Sequence, residues 1–165
     1  LRDCLKDGSG RAEAIWLRLA QSSDDPLEID AKARSFAVAQ ERLREADRQG
    51  AAFVAMVNAI WDLDLLETLL PVAVGRAARL TGLDIDATVT LYLQAFVTNL
   101  TSAAIRLSPI GQTAGQRVIQ RLQVLCLEVA EETKTVDADD VYSNAFFSDI
   151  ASMVHEILEP RLFQS

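Results

Sequence analysis

The sequence predicts an all-α fold, a single compact helical domain across residues 1–165. Three observations carry that expectation. Apolar residues recur at steps of three or four nearly throughout, the spacing that lines one face of a helix. Only four prolines and seven glycines interrupt the chain, so long stretches stay unbroken. No segment alternates apolar and polar residues as a half-buried strand does. Half of the residues are hydrophobic and 24% are charged, a balance that buries a core rather than leaving the chain disordered.

The first boundary signal is Asp24-Asp25-Pro26. Either aspartate can cap a helix that carries proline in its first turn. Beyond it, Phe36, Ala39, Leu43, Ala46, Gly50, Phe53, Val57 and Ile60 form one apolar stripe. Glu41, Arg42, Arg44, Glu45 and Arg48 supply its solvated flanks. A second helix is expected over 65–80, closed by Gly82 as a C-cap glycine. Asp84 caps a third, running to about Leu107 with a stripe of Ile85, Val89, Tyr92 or Leu93, Phe96, Leu100, Ala104 and Leu107. Because that stripe is apolar on several sides, it reads as a buried central helix.

Within it, residues 87–105 carry no charge, which raises the question of a membrane span. Thr88, Thr90, Gln94, Thr98, Asn99, Thr101 and Ser102 make the stretch too polar for one. Ser108 and Pro109 break the run. A new helix is expected from Thr113, where Thr113 and Gln116 match a capping box. Val118, Leu122, Leu125 and Val129, flanked by Ile119 and Cys126, give it an apolar face. The acidic stretch 131–140 reads as a loop, and a last helix is expected over about 148–158, ending before Pro160.

Composition removes several functional classes. A net charge of -8 argues against nucleic acid, whose phosphates need clustered Lys and Arg. Cys4 and Cys126 stand alone, with neither a disulfide framework nor zinc spacing, as suits a reducing cytoplasm. No signal-peptide pattern opens the chain, which begins on Leu1 and reads as lacking its true N-terminus. There is neither a GxxxxGK[ST] loop nor a GxGxxG turn to hold nucleotide phosphates. His155 is the one histidine, and no serine sits in a nucleophile elbow, so no catalytic residues are assigned. His155-Glu156-Ile157-Leu158-Glu159 imitates a zinc helix with its second histidine replaced. Pro160 follows at once and no third ligand is identifiable, so no metal or cofactor is expected on this chain alone.

Two segments are chemically unusual. Residues 107–117 place Pro109, Gly111 and Gly115 between two apolar helices, beside Arg106, Gln112, Gln116 and Arg117. They form either a helix corner whose polar groups satisfy free backbone, or an interface. At the end, Arg161, Leu162 and Phe163 follow a helix-ending proline. They either close over the domain's own core or anchor a partner.

These two segments also carry a resemblance. Asn99-Leu100-Thr101-Ser102-Ala103-Ala104-Ile105-Arg106-Leu107, then Pro109-Ile110-Gly111-Gln112-Thr113 and Gly115-Gln116-Arg117, resemble the central signature of the UreF urease accessory family. Asp149-Ile150-Ala151-Ser152-Met153-Val154-His155-Glu156 and Arg161-Leu162-Phe163-Gln164-Ser165 resemble its C-terminal signature. Weaker matches lie at Arg44-Glu45 with Arg48-Gln49-Gly50, and at Pro71-Val72-Ala73-Val74-Gly75. The family's opening Gly-Gly-Phe segment is missing, and Asp47 stands where a serine is usual.

The resemblance implies a cytoplasmic UreF-like helical bundle that forms homodimers and binds a UreD-type (UreH) accessory protein. That complex recruits the GTPase UreG and delivers nickel to the urease apoprotein, so nickel and GTP are handled by partners and no enzyme activity is expected. The residues it marks for partner binding are Arg106, Gly111, Gln112, Gln116, Arg117, His155, Glu156, Arg161, Leu162, Phe163 and Ser165. Two other classes remain to be weighed: a helical adaptor unrelated to urease would share the helices but not the two signatures. A helical enzyme would need a convergent set of titratable groups.

Overall fold

Capping chemistry sets most element boundaries in the computed structural model, which describes residues 1–36 and 40–141. The helices run α1 Arg2–Lys6, α2 Ser9–Ser22, α3 Pro26–Ser35, α4 Gln40–Trp61, α5 Leu70–Thr81, α6 Ile85–Leu107 and α7 Gln112–Glu132. Two 3₁₀ turns follow, Thr133–Thr135 and Ala138–Asp140, and no strand occurs among the described residues.

Asp25, rather than Asp24, caps α3: its carboxylate accepts from the amides of Leu27 and Glu28, with Pro26 in the first turn. Asp84 caps α6 by accepting from Ala87. Gly82 ends α5 in the left-handed region at φ 68°, where a side chain would be strained. Its neighbour's amide, Leu83 N–H, reaches back to Ala78 O at 3.0 Å.

Four expectations are corrected. The apolar stripe drawn from Phe36 to Ile60 is not one surface: α3 ends at Ser35, and at the far end of α4 Ile60 is 61% exposed. Of that stripe, Ala39 lies outside the described residues. The helix expected from 65 begins instead at Leu70, because Pro71 is tolerated only in a first turn. Residues 62–69 are held extended by side chains. Asn58 brackets Leu65, donating to its carbonyl at 3.0 Å and accepting from its amide at 2.8 Å. The buried Asp30 accepts from Leu69 N–H at 2.7 Å.

The capping box at Thr113 does not form, since α7 starts a residue earlier and Gly111 is its N-cap, without a side-chain cap. The acidic stretch is not all loop: α7 continues to Glu132 and the 3₁₀ turns follow. The helix expected over 148–158 lies outside the described residues.

The central helix is α2, not α6. Ala12, Ala14, Ile15, Trp16, Leu17 and Ala20 are all at most 5% exposed. Ala14 and Leu17 join Val89, Leu93, Val97, Leu125, Cys126 and Val129 in one core between α2, α6 and α7. Trp16 and Ala20 join Ile29, Ala33, Leu69 and Val72 in a second core toward α3 and α5. A third core of Val54, Val57, Leu65, Ala73 and Ala77 seats α4 on α5. Each fully buried Leu, Ile or Val contributes roughly 1.5–3 kcal/mol relative to exposure. By contrast, α6 buries one face only, and Leu91 on its outer side is 65% exposed. No helix among the described residues is long and apolar enough to cross a membrane.

Candidate functional site

The α6–α7 corner is built by the end of one core helix and the start of the next. Ser108 closes α6, its N–H and hydroxyl both directed to Ala104 O at 3.0 and 2.6 Å. After Pro109 and Ile110, the carbonyl of Gly111 accepts from Gly115 N–H at 3.1 Å and α7 begins. Gly115 is buried against α6: a Cβ there would lie 2.4 Å from Ile105 Cδ1 and 3.3 Å from Thr101 Cγ2. The two helices therefore meet closely just below the corner.

Above that contact, Arg106, Gly111, Gln112, Gln116 and Arg117 are all exposed. Ile110 and Leu107 beside them are 42% and 68% exposed. The fold makes little use of these groups. Neither Arg106 nor Arg117 enters an ion pair among the described residues. Gly111 has an ordinary φ of -69°, and a Cβ on it would meet nothing within 4 Å. The chemistry around them is one-sided, because residues 87–127 contain three arginines and no lysine, aspartate or glutamate. A cationic, hydrogen-bonding rim around two exposed apolar side chains has the composition of a recognition surface.

The other marked residues, His155, Glu156, Arg161, Leu162, Phe163 and Ser165, lie outside the described residues. The weaker sequence matches are explained by packing. A Cβ on Gly50 would sit 2.0 Å from Thr68 O, and one on Gly75 2.1 Å from Leu17 O. These positions admit α4 against the extended segment and α5 against α2.

Asp47 also has work in the fold, accepting from Arg34 at 2.6 Å while Arg34 Nε donates to Asp30 at 2.5 Å. With Arg48, Ala51, Glu67 and Thr68, Arg34 and Asp47 line a shallow cleft of about 310 Å³. The hydrogen bond to Asp47, with Asp30 close by, raises the pKa of Arg34 and holds it charged. This network joins α3, α4 and the segment before α5, and neither a histidine nor a cysteine lines the cleft.

Polar groups that the spacing analysis does not single out also serve the fold. Arg18 on α2 donates to Asp86 at 2.7 Å, Ala130 O at 2.7 Å and Thr133 Oγ1 at 3.3 Å, tying three elements to the centre. Arg18 first, then Lys134, holds the Asp86 carboxyl below the usual carboxylate range. Tyr92 donates to Glu13 at 2.8 Å, and burial foremost pushes its phenol well above its ordinary value. Burial likewise raises the Cys126 thiol, which sits in the core as a small hydrophobe. Among the described residues, no group of three His, Cys, Asp or Glu side chains is placed to hold a metal ion.

Fold and corner together define a class: an all-helical protein that presents a polar helix corner on its surface. Comparison with known proteins narrows the class to one family. The UreF family model matches residues 1–123, a span that includes the whole corner. The chain is 42% identical to a urease accessory protein UreF of Roseobacter denitrificans, over 100% of this chain and 75% of that protein. It is 43% identical to a Cereibacter sphaeroides protein of the same description, covering 79% of it. It is 37% identical to one of Ruegeria pomeroyi, covering 77%. The chain belongs to the UreF family of urease accessory proteins.

Proposed function

We propose that this protein is a cytoplasmic scaffold in urease maturation that forms homodimers, binds a UreD-type (UreH) partner and recruits the UreG GTPase. Through that assembly it supports nickel insertion into apo-urease and modulates the GTPase step. Nickel and GTP stay with the partners, and the chain performs no catalysis of its own. The proposal rests chiefly on the exposed corner of Arg106, Gly111, Gln112, Gln116 and Arg117, where neither arginine has an ion-pair partner among the described residues. Residues that a fold leaves unused, in a protein of an accessory family, are available to a partner. The C-terminal residues His155, Glu156, Arg161, Leu162, Phe163 and Ser165 are assigned to the same assembly.

Co-purification tests the reading. Arg117→Ala should weaken capture of the UreD-type and UreG-type proteins, while its melting temperature stays near wild type, since an exposed substitution changes stability by only about ±0.5 kcal/mol. An undiminished complex formed by Arg106→Ala/Arg117→Ala at ordinary concentration overturns the assignment of the corner. Failure of the wild-type chain to capture either protein overturns the scaffold itself.

A further inference from the structure

On its own, α7 carries its charges the wrong way round. Arg117 and Arg121 lie in the N-terminal half, and Glu128 and Glu131 near the C-terminus. A helix favours anions at its N-terminus and cations at its C-terminus, yet the first turn holds no acid and the last no base. The arginines sit four apart, where like charges repel, and no acid lies within a turn of either. Neither arginine enters an ion pair among the described residues, and Glu131 meets only the exposed Lys134, at 2.6 Å.

Between the two charged ends, Val124 is 62% exposed and Leu127 56%. At 3.6 residues per turn, these six residues share the outer side of α7. Such a side gains nothing from the helix that carries it.

The geometry points to a second copy of this chain as its partner, with the two α7 helices packed antiparallel about a two-fold axis near Val124. Arg117 and Glu131 lie seven residues to either side of Val124, and Arg121 and Glu128 lie three before and four after it. One axis therefore brings Arg117 opposite Glu131 and Arg121 opposite Glu128, each pair occurring twice, with Val124 and Leu127 at the centre. A two-fold interface must be self-complementary in this way.

Size is consistent. The 21 residues of α7 extend about 31 Å at 1.5 Å per residue. With the adjoining outer side of α6, the patch reaches about 600 Å² per partner, the low end for a specific interface. The pairing deepens the homodimer reading above and rests on it.

The test is charge exchange on the full chain, read by sedimentation velocity. Wild type should be dimeric at low micromolar concentration. Arg117→Glu/Arg121→Glu and Glu128→Arg/Glu131→Arg should each weaken the dimer at least tenfold, and an equimolar mixture should restore it. Arg117→Glu/Arg121→Glu moves α7 toward the dipole's preference, so it should melt no lower than wild type as a monomer. Val124→Cys in a Cys4→Ser background should be joined to its own copy by a short bismaleimide, and Arg117→Glu/Arg121→Glu should suppress that product. A wild-type dimer that survives both reversals and gives no cross-link at 124 overturns the pairing and leaves the homodimer standing. A monomeric wild type overturns both.

Discussion

Gly75→Ala tests the closest helix crossing in the fold. The added Cβ would lie 2.1 Å from Leu17 O and 3.1 Å from Ala20 Cβ, where ordinary contact begins at 3.4 Å. The obstacle is backbone of the central helix, so α5 must retreat by about 1 Å, carrying buried Val72, Ala73, Ala77 and Ala78 with it. Overpacking typically costs about 1–3 kcal/mol, and a backbone clash belongs at the upper end. Alanine returns about 1 kcal/mol of helix propensity. The net loss is about 2 kcal/mol, a drop of about 4–8 °C in melting temperature for a chain of this size.

Gly111→Ser is the companion variant. Its backbone is already extended at φ -69° and ψ 154°, its surroundings are open, and α7 lacks a side-chain cap. Serine there should cap the helix and stabilise the protein by about 0.5–1 kcal/mol. It should nevertheless weaken partner capture. Both are read by circular dichroism at 222 nm during thermal and urea unfolding, with co-purification alongside. A Gly75→Ala protein that melts at or above wild type would refute the packing reasoning. A Gly111→Ser protein that loses stability would show that the turn itself needs glycine.

Asp86→Asn should lower the melting temperature at neutral pH, because the carboxylate bridges Arg18 and Lys134 at 2.7 and 3.1 Å. Its folded pKa is depressed, so its contribution is complete above about pH 4 and is lost as pH falls through the folded value; melting curves of wild type and variant should converge in acid. Nickel titrated by calorimetry into the isolated chain, as monomer and as dimer, should bind weakly and without fixed stoichiometry, since one histidine and two separated cysteines offer no clustered soft ligands; tight stoichiometric binding contradicts this. Deleting residues 161–165 should leave helix content and melting temperature nearly unchanged while abolishing UreD-type partner binding and urease activation; a large drop in melting temperature with binding retained would show that the segment serves the fold.

Where local chemistry decides a boundary, the sequence is sufficient. Asp25 and Pro26, Gly82 and Asp84 mark helix ends by capping groups that act within four residues, and all are found in those roles. Where tertiary contacts decide, it is not. The brackets on residues 62–69 come from Asn58, seven residues before Leu65, and from Asp30, thirty-nine before Leu69. Pro71 was the available signal against a helix from 65, since it would have stood deep inside one. The central helix α2 gives no clean stripe because it is buried on opposite sides: Leu17 faces one core and Trp16 another. A strong stripe marks a helix with a wet side, so periodicity finds the periphery of this bundle more readily than its middle.

The recognition surface is legible by a different route, as what the fold leaves over. Gly50 and Gly75 belong to matched segments, yet carbonyl oxygens 2.0 and 2.1 Å from the built Cβ positions already account for them. Asp47 departs from the expected serine and is occupied by Arg34. After those assignments, the central signature retains a glycine in an ordinary conformation facing open space and two arginines without ion-pair partners among the described residues. Arg121 and Glu128, outside the signature, become informative only when α7 is seen to be exposed along one side and charged against its own dipole. Each of these choices costs the isolated chain a little stability or gives it nothing. A residue set that a fold does not repay is accounted for by contacts the isolated chain does not contain, which makes complex formation, rather than thermal stability, the measurement on which this surface has to be judged.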